Sequence, residues 1–180
     1  QSGQGVSKDN AVAAMWYHRA AKNGFAEAQD KLGLMFFNGE GVAKDRGEAA
    51  KWYRLAAEQG LAQAQHNLGV MYRRGQGVQK DFFEASWWFK RAAEQGYGQA
   101  QYNLGLMCSR GEGVPKDDKE AVKWYRKAAE QGYAPAQHNL GLMYKNGYGV
   151  PQDEAEAVKW FRRAGEQGDA DAQDDVRFNG

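Results

Sequence analysis

The chain has 180 residues, with 24 Lys and Arg against 23 Asp and Glu and a formal net charge of +1 at pH 7. That balance gives no basis for long-range attraction to nucleic acid or an anionic membrane surface, and no apolar run reaches the ~18 residues a membrane helix needs. The single cysteine, Cys108, excludes an intrachain disulfide and a cysteine metal cluster, and leaves the compartment open. Ile and Thr are missing altogether, while Ala, Glu, Lys, Arg, Gln and Leu abound, so the composition favours helices over strands.

Residues 1–24 read as a turn, Gly3-Gln-Gly5-Val6, followed by one helix. The chain opens with Gln rather than Met, and the partner helix expected before this turn is missing. The expectation is a fragment of a longer array, or a chain that starts after a removed segment. From Ala26 to Asn38, Ala28, Leu32, Met35 and Phe36 fall at i, i+4, i+7 and i+8, which predicts an amphipathic helix ended by Gly39. Gly41-Val42 forms a short turn, with Val42 directed to the core. Asp45 starts a second helix as N-cap, with Glu48 three residues on. This helix is expected to bury Ala49, Trp52, Tyr53, Ala56 and Ala57 and to stop at Gly60. The capping pair returns as Asp81/Glu84, Asp117/Glu120 and Asp153/Glu156, whereas no Ser, Thr or Asn precedes the first-type helices. The last first-type helix carries Asp174, Asp175 and Arg177, a polar composition that suits a capping unit.

These elements recur on a fixed period. Gly24, Gly60, Gly96, Gly132 and Gly168 are each 36 residues apart, and so are Trp16, Trp52, Trp88, Trp124 and Trp160. A period of this size marks a repeat array in which neighbouring units complete each other's core. On this register the chain divides into a half repeat at 1–24, full repeats at 25–60, 61–96, 97–132 and 133–168, and a capping helix at 169–180. The tryptophan ladder is expected on the inner stripe of the second-type helices. Gly33, Gly69, Gly105 and Gly141 lie inside helices, where Gly costs about 1 kcal/mol relative to Ala. Close backbone contact with a neighbouring helix is the expected reason.

The pattern A-x-A-Q-x-x-L-G-x-M-[YF], G-x-G-V-x-x-D, E-A-x-x-W-[YF]-x-x-A-A-E-Q-G resembles the Sel1-like repeat, a relative of the tetratricopeptide repeat. One copy reads Ala136-Gln137, Leu140-Gly141, Met143-Tyr144, Gly147-Tyr148-Gly149-Val150, Asp153, Glu156-Ala157 and Trp160-Phe161. The resemblance covers nearly the whole chain. It implies an all-α fold, an α/α solenoid wound as a right-handed superhelix of antiparallel helix pairs. It also implies a binding module or adaptor with a protein or peptide partner, monomeric in isolation. Such arrays are frequent in bacteria, which makes a bacterial cytoplasm or periplasm the expected setting.

Catalytic signals are poor. None of Ser2, Ser7, Ser86 and Ser109 begins S-x-x-K or sits in G-x-S-x-G. Some cysteine-rich members of the resembling family are linked to penicillin binding or β-lactam hydrolysis, but this chain lacks their cysteine pairs. No catalytic residue, metal site or cofactor is expected. His66 and His138 share a register two periods apart, too far for one metal ion. Arg54/Glu58, Lys90/Glu94, Arg126/Glu130 and Arg162/Glu166 read as i,i+4 pairs on a solvated outer face. Trp87, Phe82 and Phe83 fall where other repeats carry Lys or small residues. They read as either a partner contact or local packing.

The best site candidate is a row on the first-type helices. At about 100° per residue, a second stripe lies beside the buried one and would line the concave surface of a stacked array. It holds Lys31 and Leu34; Asn67, Val70 and Arg74; Asn103, Leu106 and Arg110; Asn139 and Leu142. Asn can pair with a peptide backbone whatever its sequence, and Arg can grip a carboxylate. The aliphatic row adds shallow apolar contact, while His66, Tyr102 and His138 would line the rim. In the related tetratricopeptide modules, similarly placed asparagines and basic residues bind peptide ends. The same asparagines could instead fix the stacking of neighbouring units. A protein-binding scaffold is thus the leading reading, with a weak hydrolase or a purely architectural array as alternatives.

Overall fold

The structure is a computed structural model that describes residues 3–179, with side chains described for residues 9–173, 175 and 176. The described residues form ten α-helices and no strand: α1 Gly3–Lys22, α2 Ala26–Asn38, α3 Arg46–Glu58, α4 Ala62–Arg74, α5 Phe82–Glu94, α6 Gly98–Arg110, α7 Asp118–Glu130, α8 Ala134–Asn146, α9 Glu154–Glu166 and α10 Ala170–Asn179. Even-numbered helices are of the first type and odd-numbered helices of the second. The chain divides into two compact units, Gln1–Ala92 and Ala93–Gly180. In the first, α1, α2, α3 and α4 pack in succession; in the second, α6, α7, α8, α9 and α10 do. This is the all-helical, solenoid-type repeat architecture expected from the sequence.

Capping residues set the helix starts. Asp45, Asp81, Asp117 and Asp153 accept hydrogen bonds at 3.0 Å from the backbone N–H of Glu48, Glu84, Glu120 and Glu156. The first-type helices α2, α4, α6 and α8 start from Phe25, Leu61, Tyr97 and Tyr133 without a side-chain cap. Gly39, Gly75, Gly111 and Gly147 end them in the left-handed conformation, and each N–H returns to the carbonyl of Met35, Met71, Met107 or Met143.

Two interactions hold neighbouring helices. Rings at Tyr53, Phe89, Tyr125 and Phe161 lie on Gly33, Gly69, Gly105 and Gly141; a Cβ on those glycines would come within 2.8, 2.8, 2.7 and 2.6 Å of a ring carbon. The helical glycines therefore admit an aromatic side chain, rather than the neighbouring backbone expected from the sequence. The second interaction is a buried glutamine. Gln29, Gln65, Gln101 and Gln137 donate to the carbonyls of Ala21, Ala57, Ala93 and Ala129 at 3.0–3.1 Å. Gln59, Gln131 and Gln167 donate in turn to the side-chain oxygens of Gln29, Gln101 and Gln137.

The start of the chain departs from expectation. Residues 3–6 belong to α1, not to a turn. In later repeats the turn glycines Gly41, Gly77 and Gly149 press against the carbonyls of Asn10 within α1 and of Arg46 and Asp118 at the starts of α3 and α7. Within this chain no preceding second-type helix is described for Gly5 to press against. For the same reason the tryptophan ladder is not uniformly internal. Trp88, Trp124 and Trp160 are buried and Trp52 is half-buried, whereas Trp16 is 64% exposed. Tyr17 has no first-type glycine in this chain to cover, and is 38% exposed where Tyr53 is 3%.

The outer charges also pair differently. Lys51, Lys123 and Lys159 bond to Glu48, Glu120 and Glu156 three residues earlier. Arg54 and Arg126, expected to face Glu58 and Glu130, instead donate to the hydroxyls of Tyr72 and Tyr144 on the following first-type helix. At α10, Asp175 accepts from Lys145 at 2.9 Å. The expected roles of Asp174 and Arg177 fall on side chains outside those described.

Candidate functional site

In the second unit, α6 and α8 straddle α7 and leave a cleft of about 460 Å³. Leu106 and Arg110 come from α6, Tyr125 from α7, and Asn139 and Leu142 from α8. Ser109, Lys116, Asp118, Asn146 and Tyr148 complete its walls. The first unit holds a cleft of about 230 Å³ at the equivalent place, where α2 and α4 straddle α3. Its Leu34, Tyr53, Asn67 and Val70 precede Leu106, Tyr125, Asn139 and Leu142 by 72 residues, two periods of the repeat. Arg74 and His66 line it as well.

Both clefts have a tyrosine in the floor. The Tyr125 hydroxyl lies 3.4 Å from Ser109 Oγ. Burial raises its pKa above the ordinary phenol value, against hydrogen bonds to Ser109 and Asn139 that lower it. Burial likewise raises Tyr53, aided by the carboxylate of Asp30. His66 is pushed down to about 4 by burial, with the Asn67 hydrogen bond working against the shift. Asp30 is raised by burial, partly offset by Asn67 and Lys31.

The expected site residues separate into two groups. Leu34, Asn67, Val70 and Arg74 line the first cleft; Leu106, Arg110, Asn139 and Leu142 line the second. Lys31 is exposed and lines neither cleft. Tyr102 packs against the rings of Tyr125 and Tyr133 at centroid distances of 6.0 and 5.3 Å. Asn103 donates to the Gln99 carbonyl of its own helix at 2.9 Å. The asparagines therefore do not act alike: Asn67 donates to Asp30 Oδ1 on the preceding first-type helix at 3.1 Å, while Asn139 bonds Tyr125. Tyr53 and Tyr125 were missed as cleft residues because the periodicity marks them only as core. Their rings lie against Gly33 and Gly105 in the core, and the Tyr125 hydroxyl meets the cleft residues Ser109 and Asn139.

Ser86 and Ser109 donate to the Phe83 and Leu106 carbonyls of their own helices. His138, Asp169 and Asp171 place one ligand atom each within 4.8 Å of one another, the arrangement closest to a metal site among the described residues. Asp169 there already caps α10 through the Ala172 N–H at 3.0 Å. His138 lies 3.5 Å from Asp169 and 3.4 Å from Asp175. The group ties α10 to α8.

The repeat-by-repeat geometry has counterparts among known proteins. A family model described as the Sel1 repeat matches residues 1–25, 26–61, 62–97, 98–133 and 134–169. A search of curated protein sequences gives no significant match. Among solved structures, c5321, a protective antigen of uropathogenic Escherichia coli strains displaying an SLR fold, is 42% identical with a TM-score of 0.91, over 93% of this chain and 36% of that one. A Sel1 repeat protein from Oxalobacter formigenes is 40% identical with a TM-score of 0.85, over 92% of this chain and 66% of that one. Helicobacter pylori cysteine rich protein B is 27% identical with a TM-score of 0.57, over 72% and 92% of the two chains. The chain thus spans about a third of the first relative and just under two thirds of the second. Sel1 repeat proteins are generally protein-interaction scaffolds without enzymatic activity, and with five matched repeats this chain belongs to the Sel1 repeat family.

Proposed function

We propose that this chain is a protein-interaction scaffold that holds extended segments of a partner protein in the clefts between successive first-type helices. The observation that carries this reading is the recurrence of one cleft design after 72 residues, with an aliphatic pair, an asparagine and a floor tyrosine at equivalent positions. Each element has a use toward a peptide. Leu106 and Leu142, like Leu34 and Val70, offer apolar contact to a side chain. The Asn139 amide and Tyr125 hydroxyl can exchange hydrogen bonds with peptide N–H and C=O groups. Arg110 and Lys116 at the second cleft, and Arg74 at the first, favour a segment with acidic or carboxyl-terminal groups.

A peptide-display selection tests this, run on the wild-type chain and on Leu142→Asp/Arg110→Ala, with circular dichroism confirming that the variant keeps its helices. The wild type should enrich peptides combining aliphatic and acidic residues, and the folded variant should bind them at least tenfold more weakly. Equal enrichment by both proteins, or none by either, would overturn the reading.

A further inference from the structure

We propose that the outer face of α5 is a self-association surface that pairs two copies of this chain antiparallel about Trp87. On α3, α7 and α9 the position equivalent to Trp87 is Lys51, Lys123 or Lys159, each bonded to the glutamate three residues before it. On α5 that position is Trp87, 43% exposed, and one turn earlier stands Phe83, 70% exposed. The equivalents of Phe83 are Gly47, Lys119 and Ala155. Arg91, one turn later, lies over the Trp87 ring at 4.9 Å. Phe83, Trp87 and Arg91 thus form a ladder at i, i+4 and i+8 along one face. No other second-type helix has large apolar groups at both of the first two positions, α1 carrying Ala11 and Met15 there.

The order of residues on α5 selects a second copy as the occupant. An antiparallel pair related by a twofold axis at Trp87 brings position 87 against itself. It also brings 84 against 90 and 83 against 91, each twice, as an isologous contact requires. On α5 these pairings are Trp87 with Trp87, Glu84 with Lys90, and Phe83 with Arg91. All are favourable: an aromatic pair, two opposite-charge pairs and two rings facing a guanidinium already stacked on Trp87. The same operation on α7 sets Lys123 against Lys123 and Lys119 against Lys127; on α3 and α9 it sets Lys51 or Lys159 against itself. Like charges meet at the axis on α3, α7 and α9, while α1 has Met15 at the axis position and Ala11 at the Phe83 position, so it lacks the flanking rings of α5. A single helix-to-helix contact lies at the small end of specific interfaces, so the dimer is weak and concentration-dependent. It replaces the monomer expected from the sequence, and it is separate from the clefts.

Sedimentation velocity over a concentration series tests the pairing with the full chain. Wild type should pass from monomer to dimer in the micromolar range. Trp87→Lys, which restores the residue type found on α3, α7 and α9, should stay monomeric with an unchanged helical spectrum. Glu84→Lys and Lys90→Glu should each be monomeric alone, because like charges then meet. Mixed one to one, they should form a heterodimer, since a chain with lysine at both positions then faces a chain with glutamate at both. A monomeric wild type, a dimer that survives Trp87→Lys, or a mixture that fails to associate would overturn the assignment.

Discussion

Tyr125 lies so close to Gly105 that a single added carbon would sit 2.7 Å from its ring. Gly98, by contrast, has nothing nearer than the Gln131 side chain at 3.7 Å. These two helical glycines should respond oppositely to the same substitution. Gly105→Ala gains up to ~1 kcal/mol of helix propensity but overpacks the ring by about 1–3 kcal/mol, so it should destabilise on balance. Gly98→Ala should be neutral or stabilise by up to about 1 kcal/mol. Urea denaturation of both variants checks this, and a stabilised Gly105→Ala would mean the ring moves aside freely. His66 gives a second prediction at this scale. Its folded pKa of about 4 lies below the ordinary 6.5, so between those values the unfolded chain binds more protons. The His66 contribution to stability should therefore be full above about pH 6.5 and decline as the pH falls toward 4. Asp30, raised by burial, acts in the opposite sense, gaining stability as it is protonated. Comparing the pH profiles of wild type and His66→Phe isolates the histidine: the variant should lose less stability over that interval, and parallel profiles would refute the assignment.

The helices themselves were legible because capping and termination are local. Asp117 with Glu120, and Gly111 in the left-handed conformation, need only a few neighbouring residues, so their spacing predicts the boundaries of α6 and α7. What was not legible depends on the next helix in space. Gly3-Gln-Gly5-Val6 copies the turn sequence but lacks the preceding helix against which such turns are pressed, and the same letters fold as α1. Arg126 has Glu130 at i+4, yet donates to Tyr144, 18 residues on, at 2.5 Å. An i,i+4 pair on a solvated face contributes only a few tenths of a kcal/mol, little enough for a phenol on the adjoining helix to prevail. The candidate site shows the same division. Angular position on a helix places Leu106, Arg110, Asn139 and Leu142 at one cleft. It does not show that Asn67 turns to Asp30, or that Asn103 turns back to its own helix. Those choices depend on side-chain partners that the repeat consensus does not encode, such as an aspartate at position 30.

At the scale of the molecule, stability is a sum over neighbours, because a helix in a repeat array is covered only by the helices beside it. In the first unit α3 is packed by α2 on one side and α4 on the other; in the second, α7 is packed by α6 and α8. Both bury a full stripe, with Ala49, Tyr53, Ala56 and Ala57 on α3 matched by Ala121, Tyr125, Ala128 and Ala129 on α7. Helix α1 packs chiefly on α2, with His18 also against the Trp52 ring of α3, and leaves Val12, Met15, Trp16 and Tyr17 exposed. Helix α10 contacts α9 and fully buries Ala172, with the Asp169 cap and the Lys145–Asp175 pair as its further ties. Opening a helix covered on one side breaks one interface, whereas opening α3 or α7 breaks two, so local opening should cost least at α1 and α10. Native-state hydrogen exchange should accordingly show α1 and α10 exchanging first, and α3 and α7 each protected at least tenfold longer than the terminal helix of its unit. Adding urea below the transition should lower protection at α3 and α7 most steeply, because their exchange requires exposing the most surface. Equal protection across all helices at every urea concentration would mean that the chain opens only as a whole. The nearest-neighbour description would then fail for this protein.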